Sequence, residues 1–202
     1  MCTHKEEGNP LKYKARVVAK GYSQQPGMDY TDTFSSVIHL ETIQTLLALA
    51  VAKDWEIQQM DVKGAYLNGM TKEEIYMHQP EGYDDGTSHL CHLIKSLYGL
   101  KQAGHKWNNE LNKQLESLGW KPTMVDPCAY ARRLTEGIEV IAVWVNNLLL
   151  VVSNKGLMKK IKVKLESIFD ITDLGECKVG RWLALVLMFT PSEHDLCVIE
   201  SL

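Results

Sequence analysis

The chain has 202 residues, of which 45% are apolar and 23% charged, with a formal charge of −3. That is enough apolar material for one large or two small globular domains. It excludes a disordered chain, a collagen-like repeat and a disulfide-stapled mini-scaffold. The slightly negative balance gives no help to a nucleic-acid partner, although the first twenty residues are rich in Lys and Arg. The five cysteines, at 2, 91, 128, 177 and 197, form no C-x-x-C pair, which predicts reduced thiols in an intracellular, non-secreted protein. His89, Cys91 and His92 come closest to a ligand cluster but lack the second pair of a zinc site. No signal-like segment opens the chain and no apolar run is long enough for a bilayer, so no membrane partner is expected.

In chain order, residues 13–21 (YKARVVAKG) alternate apolar and basic groups, which predicts a strand with cations on one side. Gln25-Pro26-Gly27 is a turn and residues 30–36 a polar loop. Residues 41–53 place Ile43, Leu46, Leu47, Ala50 and Val51 on one helical face. A strand follows at 56–62, with Asp61 at its carboxyl end, then a turn at Asn68-Gly69, a short strand at 74–78 and a loop at 80–86. Residues 107–118 repeat leucine at helical spacing and stop at Gly119. Asp126-Pro127 breaks the chain before a strand at 128–132. Two apolar, β-rich runs within 140–152 flank Asn146-Asn147, which predicts a hairpin turning on those two residues with type I′-like geometry. Residues 157–169 form an amphipathic helix whose lysines, at 159, 160, 162 and 164, suit a solvated face. No repeat, low-complexity tract or dividing linker is visible, and the order of elements gives a mixed α+β fold.

The motifs are more specific than the periodicity. YKARVVAKGYSQQPGMDYTDTFSSV, LETIQTLLALA, QMDVKGAYLNG, EEIYMHQPEGY and SLYGLKQAGHKW occur in one order. Together they closely resemble the reverse transcriptase domain of copia-type long-terminal-repeat retrotransposons, from about Lys12 to Glu176. The resemblance implies a right-hand polymerase fragment comprising fingers and palm, with an antiparallel palm sheet that carries the 140–152 hairpin and helices on one face. It divides the chain into an N-terminal tail at 1–11, a reverse transcriptase-like domain at 12–180 and a divergent segment at 181–202. The implied reaction is RNA-directed DNA synthesis by two-metal nucleotidyl transfer. Its implied cofactor is Mg2+ or Mn2+, and its partners are an RNA template, a DNA primer and deoxynucleoside triphosphates.

Such chemistry requires hard anionic oxygens converging on two divalent ions. Asp61, inside QMDVKGAYLNG, matches the family's metal-binding aspartate at a strand end. An isolated aspartate there would otherwise be read as a cap or turn residue. The family's second site is the Asp-Asp of a Tyr-x-Asp-Asp hairpin, and here the chain reads Trp144-Val145-Asn146-Asn147. Two neutral amides thus replace two carboxylates, and the expectation is a retained hairpin with metal binding weakened and catalysis lost or strongly impaired. Tyr66 matches an aromatic that closes the sugar pocket; as a bare residue it would be a core tyrosine. Lys14 and Arg16 match a basic fingers strand that meets the triphosphate, the alternative being a solvated edge strand. Gln102 matches a nucleotide-contacting glutamine, followed here by Gly104 and His105 where the family has Pro and Arg. Lys178 is a further candidate, to assist pyrophosphate departure, and Asp126 is the nearest acid available as a substitute ligand. The competing function is a non-catalytic nucleic-acid-binding or assembly module resting on Lys14, Arg16, Lys20 and Lys101, or a relic without a selected role.

Overall fold

A computed structural model describes residues 15–177, so Lys14, Lys178, the 1–11 tail and the 181–202 segment lie outside the described residues. Contacts group the chain into two compact units. One falls within Met1–Ser35 and Gly64–Leu111, the other within Ser36–Lys63 and Asn112–Leu202. Each unit is assembled from separate stretches of chain, and for that reason no single linker marks a boundary in the sequence.

The second unit is built on a six-stranded antiparallel sheet. In chain order its elements are α1 (Leu40–Lys53), β1 (Glu56–Val62), β4 (Lys121–Pro122), β5 (Ala129–Leu134), β6 (Gly137–Trp144), β7 (Asn147–Val152), α3 (Lys155–Glu166) and β8 (Ile171–Glu176). The strand order is β4-β5-β6-β7-β1-β8, which places β1 and β7 in the interior. In the first unit, β2 (Tyr76–His78) and β3 (Leu90–His92) form a two-stranded antiparallel ribbon. Helix α2 (Ala103–Ser117) begins in the first unit and ends in the second. It stops where expected: Gly119, at φ +91°, adopts the left-handed conformation that ends many helices.

The core of the second unit explains its layering. Ile43, Leu47 and Ala50 of α1 pack with Ala142, Trp144, Leu149 and Val151 on one side of the sheet. Because strand side chains alternate between faces, Leu148, Leu150 and Val152 point to the other side, and all three are fully buried. There α3 packs on β7 and β1 through its buried Leu157, Met158, Ile161 and Leu165. Helices therefore cover both faces, which corrects the expected one-faced arrangement. The sign was in the sequence, since a strand buried on both faces reads as a continuous apolar run, as LLLVV does, rather than as an alternation. The start of α3 is fixed by Asn154, whose side chain accepts a hydrogen bond from the Leu157 N–H at 3.0 Å.

Among the described residues, 15–21 of the expected strand at 13–21 form no strand. Residues 15–20 run without ladder pairing, then Gly21–Ser23 form a short 3-10 turn. This segment is held by backbone proximity to the turn before α2, with the Ala19 N–H donating to the Tyr98 carbonyl at 2.7 Å. A Cβ on Gly21 would lie 1.9 Å from the Gly99 oxygen, and one on Gly99 (φ +91°) would lie 2.2 Å from the Ala19 oxygen. Neither space exists, and the backbone cannot yield cheaply. Gly99→Ala is therefore expected to destabilise the first unit by about 2 kcal/mol or more, from left-handed strain plus the backbone clash. Urea denaturation with limited proteolysis of residues 15–24 checks this, and an unchanged profile would contradict the contact.

Candidate functional site

Asp61, Asn146 and Asn147 come together in the second unit. Interior strand β1 pairs with β7 on one side and β8 on the other, so Asp61 stands directly opposite Asn147 on one strand and Thr172 on the other. The hairpin is present, but its loop is Val145-Asn146, because Trp144 pairs with Asn147. The expected Asn146-Asn147 turn is thus displaced by one residue. Moving a two-residue loop one position along the chain leaves every side chain on its original face, so the apolar pattern fits either register. The turn is not type I′: Val145 takes φ +55° and Asn146 does not have positive φ. A β-branched residue rarely adopts this conformation, and the strain sits at the site.

The local bonding is specific. The Val62 N–H donates to the Asn146 carbonyl at 2.8 Å. The Asn146 side-chain Nδ2 donates to Asp61 Oδ1. Asn147 Nδ2 donates in turn to Asn146 Oδ1 at 3.4 Å. The three side chains therefore present one carboxylate and two amides, with the Asn146 amide hydrogens directed at the carboxylate and those of Asn147 at the Asn146 oxygen. A pair of divalent ions wants several anionic oxygens, and a donor pointing into the site opposes a cation. Among the described residues no group of three or more His, Cys, Asp or Glu is arranged to hold a metal ion. The donor set as written does not fit the two-ion requirement.

Asp126 is engaged elsewhere in the unit. Its buried carboxylate accepts from the His39 N–H (2.9 Å) and the Cys128 N–H (2.9 Å), and it meets the His39 ring at 3.1 Å. It thereby satisfies the N-terminus of α1, where His39 supplies no capping side chain of its own. Burial alone would push its pKa up. The donors from the His39 and Cys128 backbones, the Thr42 hydroxyl and the His39 ring outweigh burial and hold the carboxyl below its ordinary range. A depressed pKa contributes stability that is present above the unfolded carboxylate range and lost as pH falls through the lowered value. Thermal denaturation is accordingly expected to show stability falling below about pH 4. Asp126→Asn should lower the melting temperature at neutral pH and flatten that fall.

In the first unit, Tyr66 and Arg16 meet through a residue that sequence reasoning missed. The Tyr66 and Tyr98 ring centroids lie 5.1 Å apart, and the Arg16 guanidinium carbon lies 5.4 Å from the Tyr98 ring centre. Half-buried Tyr66 also packs on the cluster of Ile75, Leu100 and Ala103. Burial and then Tyr98 push its hydroxyl pKa up. Tyr98 was visible within SLYGLKQAGHKW, but nothing in its spacing marked a partner for Arg16. Lys101 lies over a second tyrosine, Tyr30, at 5.1 Å.

Gln102, which the resemblance matches to a nucleotide-contacting glutamine, lies within the first unit. It is fully buried, donates to the Asp29 carbonyl at 2.9 Å and accepts from Gln24 at 3.1 Å. Gln24 accepts in turn from the Lys101 N–H at 2.8 Å. Both ends of the Gln102 amide thus brace the turn around Asp29. His105 bonds the Phe34 carbonyl through Nδ1 at 2.6 Å, with Asn109 at Nε2. On the β2–β3 ribbon, His92 stacks on Tyr76 with ring centres 5.0 Å apart.

Comparison with known proteins gives a consistent result. The family model described as "Reverse transcriptase (RNA-dependent DNA polymerase)" matches residues 1–197. The chain is 43% identical over 168 residues to the retrovirus-related Pol polyprotein from transposon TNT 1-94 of Nicotiana tabacum, covering 82% of this chain and 13% of that protein. It is 36% identical over 172 residues to the corresponding polyprotein from transposon RE1 of Arabidopsis thaliana (84% and 12%). To that from transposon RE2 of the same plant it is 37% identical over 169 residues (83% and 12%). The chain therefore spans about an eighth of the length of these curated relatives. No solved structure matches it. No helix among the described residues is long and apolar enough to cross a membrane.

Proposed function

Since the chain belongs to the reverse transcriptase (RNA-dependent DNA polymerase) family, we propose that it is the fingers and palm of a copia-type retrotransposon polymerase whose catalytic centre has lost two carboxylates. The six-stranded sheet with Asp61 and the β6–β7 hairpin is the palm, and the unit carrying Arg16, Tyr66 and Tyr98 belongs to the fingers. The ancestral reaction is template-directed nucleotidyl transfer to a DNA primer, with divalent ions supplying charge stabilisation when bound. As written, the chain carries out this reaction at a strongly reduced rate or not at all. The single observation supporting this reading is the convergence of Asp61, Asn146 and Asn147 at one end of the interior strands, with amides at two of the three positions. Primer extension on an RNA template, with Mg2+ and then Mn2+, tests it by comparing the chain as written with N146D/N147D. Robust extension by the unaltered chain would refute the impaired centre.

A second reading, a non-catalytic nucleic-acid-binding module, is favoured by the placement of Arg16 and Lys101 over tyrosine rings in the first unit. Cations beside aromatic faces suit phosphate and base contact. Binding to an RNA–DNA hybrid should then weaken steeply with salt, and no affinity at low salt would remove this reading.

A further inference from the structure

Asn146 holds β1 at two points, its backbone carbonyl accepting the Val62 N–H at 2.8 Å and its side-chain Nδ2 donating to Asp61 Oδ1. The amide can point only one way, because its oxygen set against the carboxylate would bring two acceptors together without a proton. Asn147 extends the same sense of donation, from its Nδ2 to Asn146 Oδ1 at 3.4 Å. The donors therefore run from Asn147 through Asn146 and end on the carboxylate. The turn that delivers Asn146 to this position retains Val145 in a strained left-handed conformation at φ +55°. A hydrogen bond to an ionised carboxylate is about twice as strong as one between neutral groups.

We propose that this Asn147–Asn146–Asp61 relay takes the place of a cation. The Asn146 amide, itself oriented by Asn147, stabilises the Asp61 charge and clamps the hairpin to β1, so the site is held together without a cation and closed to divalent ions. Only the choice of ion rests on the reading of the site as a former polymerase centre; the bonds stand without it. Reversing both amides would bring three carboxylates together, and like charges at that range disfavour one another unless a cation intervenes.

The test uses the full chain and four variants: N146D/N147D, N146D, N147D and D61N. Melting temperatures are measured in EDTA and in millimolar Mg2+. Terbium binding is read by luminescence sensitised through Trp144, which stands directly across the ladder from Asn147. The unaltered chain is expected to melt at the same temperature in both media and to give no sensitised emission. N146D/N147D should melt roughly 4 °C or more lower in EDTA, recover in Mg2+ and bind terbium. N146D, which loses the clamp, should be destabilised in EDTA more than N147D, which keeps it. The relay is overturned if Mg2+ stabilises the unaltered chain, if that chain binds terbium in a manner abolished by D61N, or if N147D is as damaging as N146D. Should the double variant not fold in either medium, the two single variants decide. Failure of primer extension would strike the polymerase reading and leave these melting differences untouched.

Discussion

Restoring both carboxylates, in N146D/N147D, is expected to raise primer extension by on the order of 10³-fold over the chain as written. The figure follows from charge. Each restored aspartate replaces a neutral amide, and in a partly buried site a unit charge about 4 Å away is worth about 4 kcal/mol at intermediate dielectric before desolvation is subtracted. Even about 2 kcal/mol of net transition-state stabilisation per carboxylate compounds to about three powers of ten. The two positions are not equivalent. Asn147 is the ladder partner of Asp61, whereas Asn146 occupies the strained turn and donates into Asp61. Either single reversal should therefore recover far less than the pair, because the remaining amide keeps the centre short of anionic oxygen. Adding D61N to the restored protein should abolish the gain. If N146D/N147D folds and extends no better than the chain as written, the two amides are not what limits it.

Arg132→Ala, which strands the buried Glu139 carboxylate, is expected to destabilise the second unit strongly. The two residues are directly opposed on β5 and β6. Arg132 Nε and Nη2 reach one oxygen of Glu139 at 2.9 and 2.5 Å, and its Nη1 reaches the Leu118 carbonyl at 2.6 Å. The guanidinium lies 3.9 Å from the centre of the fully buried Trp120 ring. Glu139 is itself fully buried, and its other oxygen has no hydrogen-bond partner among the described residues. Arg132→Ala leaves that carboxylate buried and uncompensated, which costs about 3–5 kcal/mol, a large share of a typical domain's stability. A fall in melting temperature of roughly 6–20 °C should follow. Arg132→Lys should rescue little, since an ammonium can neither form the fork nor stack on indole. The double change Arg132→Met, Glu139→Leu should be milder than Arg132→Ala, because it removes both charges together. Additive losses in that cycle would show that the pair does not act as a unit.

Some of this molecule was legible in its sequence alone. The α1 face of Ile43, Leu47 and Ala50, the hairpin at 140–152, the end of α2 at Gly119 and the position of Asp61 at the end of β1 all follow from local periodicity or a local turn signal. The ordered motifs carried the family, because they are properties of the chain and survive without any knowledge of packing. Strands β3, β4 and β8 were missed: two are very short, and β8 is an edge strand, half-exposed and without clear alternation.

What only the tertiary structure decided concerns residues whose partners are distant in sequence. Nothing local to Gln102 names its partners, and packing set both ends of its amide onto Gln24 and Asp29. Asp126 was a spare acid until the fold brought the start of α1 to it across 87 positions of sequence. The hairpin loop settled on Val145-Asn146 because the apolar pattern accepts either register, whereas the Val62 N–H and the Asp61 carboxylate both bind Asn146. Residue types and their periodicity determined which elements form and which face of each is apolar. Which donor meets which acceptor was decided by tertiary packing, because hydrogen bonds are directional and short while the hydrophobic effect that assembles the core is neither.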